Sequence, residues 1–162
     1  MDTIAKRVGI ARPNVYRYFS RKQDLVKEVI LREVRAVNVQ RRAGISMDGS
    51  SADIMLASLV MGADLIGKTE FLSFALRTDR EQVTAFLISN DDDLFATQHQ
   101  YWEPILGHVR KRGDLREGLD DDRIIRWFMS NNFSLVTLPE MYPGSMTAWF
   151  ADFVIPPVLR SS

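Results

Sequence analysis

The sequence predicts an all-α fold in which a helix-turn-helix region leads into a helical bundle. Three observations carry this reading. Apolar residues recur with the 3.6-residue period of helices, no segment alternates apolar and polar residues over the length of a strand, and the punctuation consists of short polar turns containing Gly and Pro. With 162 residues, 46% of them hydrophobic and 26% charged, the chain can form one globular domain or a small domain joined to a larger one.

The elements follow in chain order. Ile4, Ala5 and Val8 share a helical face, and Gly9 tolerates the left-handed backbone that ends a helix in a sharp turn. Pro13 fits the first turn of a second short helix, where its missing N–H costs no internal bond, and Val15 with Phe19 forms an i, i+4 apolar pair. From Arg21 onward, Leu25, Val26, Val29, Ile30, Val34 and Val37 keep the helical period as far as Arg41-Arg42-Ala43-Gly44, which predicts one long helix. Ser50 with Asp53, and Thr78 with Glu81, read as capping boxes. Further helices are expected at about 51–67, 70–77, 79–89, 91–112, 121–138 and 145–155, with Gly113, Gly118, Pro143-Gly144 and Pro156-Pro157 as stops. Pro104 lies inside the fourth of these and should kink or divide it. The division expected is residues 1–44 as the helix-turn-helix region with its connecting helix, and 45–162 as a helical regulatory and dimerisation domain.

The formal net charge is zero, yet the charges are not evenly spread. Residues 1–42 hold 11 Lys and Arg against 4 Asp and Glu, whereas residues 43–162 hold 10 against 17. A basic leading segment on an acidic remainder suits a module that faces a polyanion; a solvated basic helix face is the alternative. Cys is absent, which removes disulfides and thiolate metal sites and makes the cytoplasm the expected compartment. The longest apolar stretches, such as Phe71 to Leu76 and Phe133 to Leu138, fall well short of the roughly 20 residues of a membrane-spanning helix, so neither a span nor a signal peptide is expected.

Two short helices joined at a Gly, the second with a basic surface, fit helix-turn-helix geometry. The run from Thr3 to Leu25, with Ile4-Ala5, Gly9-Ile10-Ala11, Val15-Tyr16-Arg17-Tyr18-Phe19 and Lys22-Gln23-Asp24-Leu25, resembles the opening pattern of the tetracycline-repressor (TetR) family of transcription regulators. Ala11 departs from the family's usual Ser or Thr and cannot cap by side chain; Tyr18 stands where His is commonest. The family places a complete helix before this run, so the resemblance implies that the chain as given lacks that first helix.

With Val15 and Phe19 turned inward, the second helix presents Arg12, Asn14, Tyr16, Arg17 and Tyr18. Arg pairs bidentately with guanine and Asn with adenine, so Arg12, Asn14 and Arg17 are the candidates for base edges of double-stranded operator DNA. By resemblance, Tyr16 and Lys22 are phosphate contacts.

The segment Gly107 to Leu119 resembles the linker before the last two helices of the family's regulatory domain. The resemblance implies that helices near 121–138 and 145–155 pair with their copies in a homodimer. Ile124, Phe128, Leu135 and Leu138 form one stripe and Ile125, Met129, Phe133 and Val136 another, so the first helix of that pair can bury two sides. Ile125, Met129, Phe133, Val136, Trp149 and Phe153 are the expected interface; a central core helix within one chain is the alternative reading of the double stripe.

For a small-molecule effector, Met55, Leu59, Leu65, Phe71, Phe74, Phe86, Phe95, Trp102, Trp127 and Phe128 offer apolar surface, with Gln98, His99, Tyr101, Asn131 and Asn132 as polar groups. Met55, Leu59, Phe71, Phe74, Phe95, His99, Trp102, Trp127, Phe128 and Asn131 are the candidate pocket. An apolar or aromatic effector is expected, because no basic cluster of this half is clearly placed to hold an anion.

Two His, no Cys, no phosphate-binding Gly loop and no nucleophile elbow leave nothing for catalysis, and no cofactor is expected. His99 and Glu103 stand at i, i+4 without a third metal ligand, and Asp91-Asp92-Asp93 reads as a helix start rather than an ion site. The combined expectation is a homodimeric, ligand-responsive, DNA-binding repressor. A dimeric small-molecule-binding protein that does not bind DNA for want of its first helix is the alternative, and an enzyme on a helical scaffold the third class.

Overall fold

The computed structural model describes residues 21–160 apart from 79, 90 and 143. Among the described residues the regular structure is helical: α1 (Lys22–Gly44), α2 (Ser51–Lys68), α3 (Glu70–Thr78), α4 (Arg80–Ile88), α5 (Asp92–Lys111), α6 (Asp121–Thr137) and α7 (Met146–Trp149), the last running on through a wide π-type turn, Phe150–Val154. A short 3-10 turn, Pro139–Met141, follows α6. None of these helices is long and apolar enough to cross a membrane.

Local chemistry explains the boundaries. Ser50 caps α2 by accepting from Asp53 N–H at 3.1 Å, Asp91 caps α5 by accepting from Asp93 and Leu94 N–H, and Asp120 caps α6 through Arg123 N–H at 2.8 Å. The expected acidic helix start at Asp91 is therefore an N-cap. At the other end of α5, Gly113 has φ 77°. Its N–H donates to Arg110 carbonyl and Asp114 N–H to Val109 carbonyl, the paired bonds of a Schellman ending, and the left-handed φ is what favours glycine there. Thr78 behaves otherwise than expected: it is the last residue of α3, and its hydroxyl donates back to Phe74 carbonyl at 2.9 Å. A Thr hydroxyl can serve the helix behind it as readily as the helix ahead.

Pro104 does not divide α5, which runs unbroken past it. A proline at 104 cannot donate to the Gln100 carbonyl, and Arg42 of α1 fills that vacancy, donating from Nη2 to Gln100 carbonyl at 3.0 Å and to Tyr101 carbonyl at 2.9 Å.

Two apolar clusters form the core. One gathers α2, α5, α6 and the C-terminal turn around Trp102, Phe128 and Phe150; the other joins Ile30, Leu31, Val34 and Val37 of α1 to α3, α4, Leu94 and Phe133. Met129 of α6 packs against both. Helix α1 packs on α2 and α5, so its inner stripe is part of the body of the protein. The chain end is tied down by a Leu115–Leu159 bridge, with Arg116 N–H donating to Val158 carbonyl at 2.9 Å.

Candidate functional site

Helix α1 positions everything that follows. Its first residue is Lys22; Arg12, Asn14, Tyr16, Arg17 and Tyr18 lie outside the described residues. Asp24 accepts from Arg21 N–H at 3.1 Å and fixes the helix start. One turn on, Lys27 Nζ reaches the N-terminal end of α5, 2.7 Å from Asp91 and 2.8 Å from Asp93. The hydrogen bonds to Asp91 and Asp93 hold the ammonium above its usual range. Burial pushes the Asp91 carboxyl up, but Lys27 and the N–H groups of Leu94 and Asp93 outweigh it and leave the carboxyl below its usual value.

At its other end, α1 carries Arg41 into the protein. Arg41 is 4% exposed. Its Nε donates to Ser58 carbonyl at 3.1 Å, Nη1 to Asn38 Oδ1 at 3.0 Å and Nη2 to Ser58 Oγ at 2.9 Å. The guanidinium lies 3.8 Å above the Tyr101 ring, and Ser58 Oγ sits 2.8 Å from Tyr101 OH. Burial pushes its pKa down to about 10, against which Tyr101 acts to raise it. Room for it comes from Gly62: a Cβ there would stand 2.9 Å from Arg41 Nε.

Beside Arg41 lies a small cavity of about 20 Å³, walled by Leu59, Trp102, Phe128 and Met129 with Ile66 and Phe133, into which Gln98 and Asn132 bring amides. Asn132 Nδ2 donates to Leu59 carbonyl at 3.2 Å, while its buried Oδ1 has no hydrogen-bond partner among the described residues. Of the residues expected to line an effector pocket, the structure brings Leu59, Trp102 and Phe128 to this cavity. Met55 is buried in the same cluster, and Phe71 half-buried in the other. Phe74 is 51% exposed. Phe95 lies against His99, with the Arg126 guanidinium 4.0 Å above its ring, and His99 faces Asp122 at 3.6 Å. Trp127 donates to Val154 carbonyl at 2.8 Å and Asn131 to Trp127 carbonyl at 2.9 Å, both away from the cavity wall. Sequence reasoning missed Arg41, Ile66, Met129 and Phe133. A basic group does reach this cavity, Arg41, but from α1, the helix assigned to the other domain; the expectation of no basic cluster to hold an anion concerned residues 45–162.

The expected interface is corrected at Ile125 and Phe133, which are buried within the chain; Met129 and Val136 are half-buried against its core clusters. Both stripes of α6 are used internally as far as Val136 because the helix runs between the two clusters, whereas Leu138, just past the helix end, is exposed. An outward aromatic group remains: Trp127 at 40% and Phe153 at 58% exposure, with the Trp149 ring centroid 4.8 Å from that of Phe153 and, edge-on, 4.9 Å from that of Tyr142.

Among the described residues no group of three or more His, Asp and Glu is placed to hold a metal ion. The family model of bacterial regulatory proteins of the tetR family matches residues 1–29. No curated protein and no solved structure matches the chain. The match contains the whole Thr3–Leu25 run and ends inside α1, in the turn that carries Lys27.

Proposed function

We propose that this DNA-binding transcription regulator of the tetR family is a homodimeric repressor released from its operator by a small molecule bound between α1, α2, α5 and α6. The observation that carries the reading is the continuity of α1. The helix begins within the family match and in its last turn brings Arg41 to the wall of the buried cavity, about 28 Å along its axis from Lys22. A ligand that enlarges the cavity displaces α1 against α2 and α5, and a rigid helix carries that displacement to the segment that meets DNA.

Arg12, Asn14 and Arg17 read base edges in the major groove, while Tyr16, Tyr18 and Lys22 hold phosphates. The aromatic surface of Trp127, Trp149 and Phe153 meets its copy in a second chain. A two-fold dimer then presents two recognition helices to half-sites about 34–36 Å apart, and ligand and DNA oppose each other because each favours a different spacing. Footprinting the full chain on DNA from upstream of its own gene tests this: two protected segments one helical turn apart are expected. Uniform, unprotected cleavage, with a dimer that still binds small molecules, would make it a ligand-binding protein without an operator.

A further inference from the structure

The cavity has polar features that an apolar occupant would leave unanswered. Arg41 is buried, and no Asp or Glu among the described residues pairs with it. Its hydrogen bonds go to neutral oxygens and use three of its five N–H groups. Asn132, 7% exposed, lines the same cavity and has a buried carbonyl oxygen with no hydrogen-bond partner among the described residues, and Gln98, 5% exposed, lines it too. Three helices thus bring a cation, an unpartnered acceptor and an amide to one cavity whose remaining wall is apolar and aromatic.

A water fits a space of this size and could donate to Asn132 Oδ1. It would leave the Arg41 charge without a counter-ion, and buried charges are as a rule paired. We infer that the natural occupant is a small carboxylic acid with an apolar body and a hydroxyl group. Its carboxylate lies against the Arg41 guanidinium, its hydroxyl donates to Asn132 Oδ1, and its body lies among Leu59, Trp102, Phe128 and Met129. The inference rests on the reading of this cavity as the effector site, and adds the charge of the effector and the residues that recognise it.

The present volume is far below the roughly 150 Å³ that holds a benzene ring, so binding must open the site. Met129 is the wall residue suited to this. It is unbranched, half-buried and seated where the two core clusters meet, so it can turn aside with less disruption than Trp102 or Phe128. Opening there separates α6 from α1, the element that continues toward the DNA-binding segment.

The test is calorimetric titration of the full chain with 3-hydroxybenzoate, 4-hydroxybenzoate and 4-hydroxyphenylacetate, each against its neutral primary amide. At least one acid should bind at least tenfold more tightly than its amide. Arg41→Met should abolish that preference. Because Arg41 also holds Ser58 and Asn38, Gly62→Ala supplies a second variant that keeps the charge but crowds the guanidinium, and it should cut acid affinity at least tenfold while sparing the amide. Equal binding of acid and amide, or a preference that survives both variants, would overturn the assignment of charge and leave the effector cavity standing. If neither the acids nor the amides bind and neutral aromatics such as indole do not bind either, both the inference and the effector reading fail.

Discussion

Arg42 donates to the carbonyl of Gln100, the acceptor that Pro104 leaves without its helical donor, and so α1 repairs the backbone of α5. A hydrogen bond of this kind contributes about 1 kcal/mol, more when the donor is charged. Arg42→Ala should therefore lower stability by about 1–2 kcal/mol in urea unfolding. In a Pro104→Ala background, where residue 104 can donate for itself, the same substitution should cost measurably less. Equal costs in the two backgrounds would show that the two residues act independently.

The pair of Lys27 with Asp91 and Asp93 joins the start of α1 to the start of α5, and its pH dependence has a definite sign. Asp91 has a depressed folded pKa, so its contribution is complete above the unfolded value of about 4 and is lost as pH falls through the folded one. Lys27 has a raised folded pKa, so its contribution is complete below the unfolded value of about 10.4 and is lost as pH rises beyond it. Comparing Lys27→Met with the parent chain by urea unfolding should show a deficit that is constant from about pH 5 to 9 and closes toward pH 2. Asp91→Ala should cost about 1 kcal/mol more than Asp91→Asn, which keeps the cap.

The outward aromatic face makes a third prediction. Phe153→Glu and Trp127→Glu should yield a folded chain of half the mass in sedimentation. Phe133→Asp, which places a carboxylate in the inner cluster, should instead unfold the chain, at a cost of more than about 4 kcal/mol. A folded monomer from Phe133→Asp, or an unchanged dimer from both surface variants, would reverse the assignment of the two faces.

Most helix boundaries were legible because they depend on local chemistry. Ser50, Asp91 and Gly113 each satisfy backbone groups within a turn of themselves, and the local signals that predicted them need no tertiary partner. The two stripes of α6 were legible too, but what they face was not, since the same apolar residues serve a chain's own core or a second copy. Arg41 shows the same limit for charge. It follows Val34 and Val37 at i+7 and i+4, so it continues the buried stripe, yet a basic residue in the last turn also suits the helix dipole. Only the absence of a side chain at Gly62, 21 residues away in sequence, makes its burial possible. The cavity beside Arg41 was only partly legible for that reason: its aromatic wall comes from α5 and α6, but its charge comes from α1.

The residues proposed to read bases give a fourth prediction. Asn14→Ala should cost about 1–3 kcal/mol and relax preference at particular operator positions. Lys22→Ala should weaken binding to all sequences alike and reduce the salt dependence.

Recognition of a DNA sequence is proposed to run through the segment that leads into α1. Its most direct test is titration of the full chain, at one fixed salt concentration, with the fragment protected in footprinting and with a scrambled fragment of equal length and composition. The protected fragment should bind at least about 1,000-fold more tightly than the scrambled one. Arg17→Ala should remove about 1–3 kcal/mol of that difference without altering scrambled binding. Equal affinity for the two fragments, or full discrimination by Arg17→Ala, would contradict the proposal.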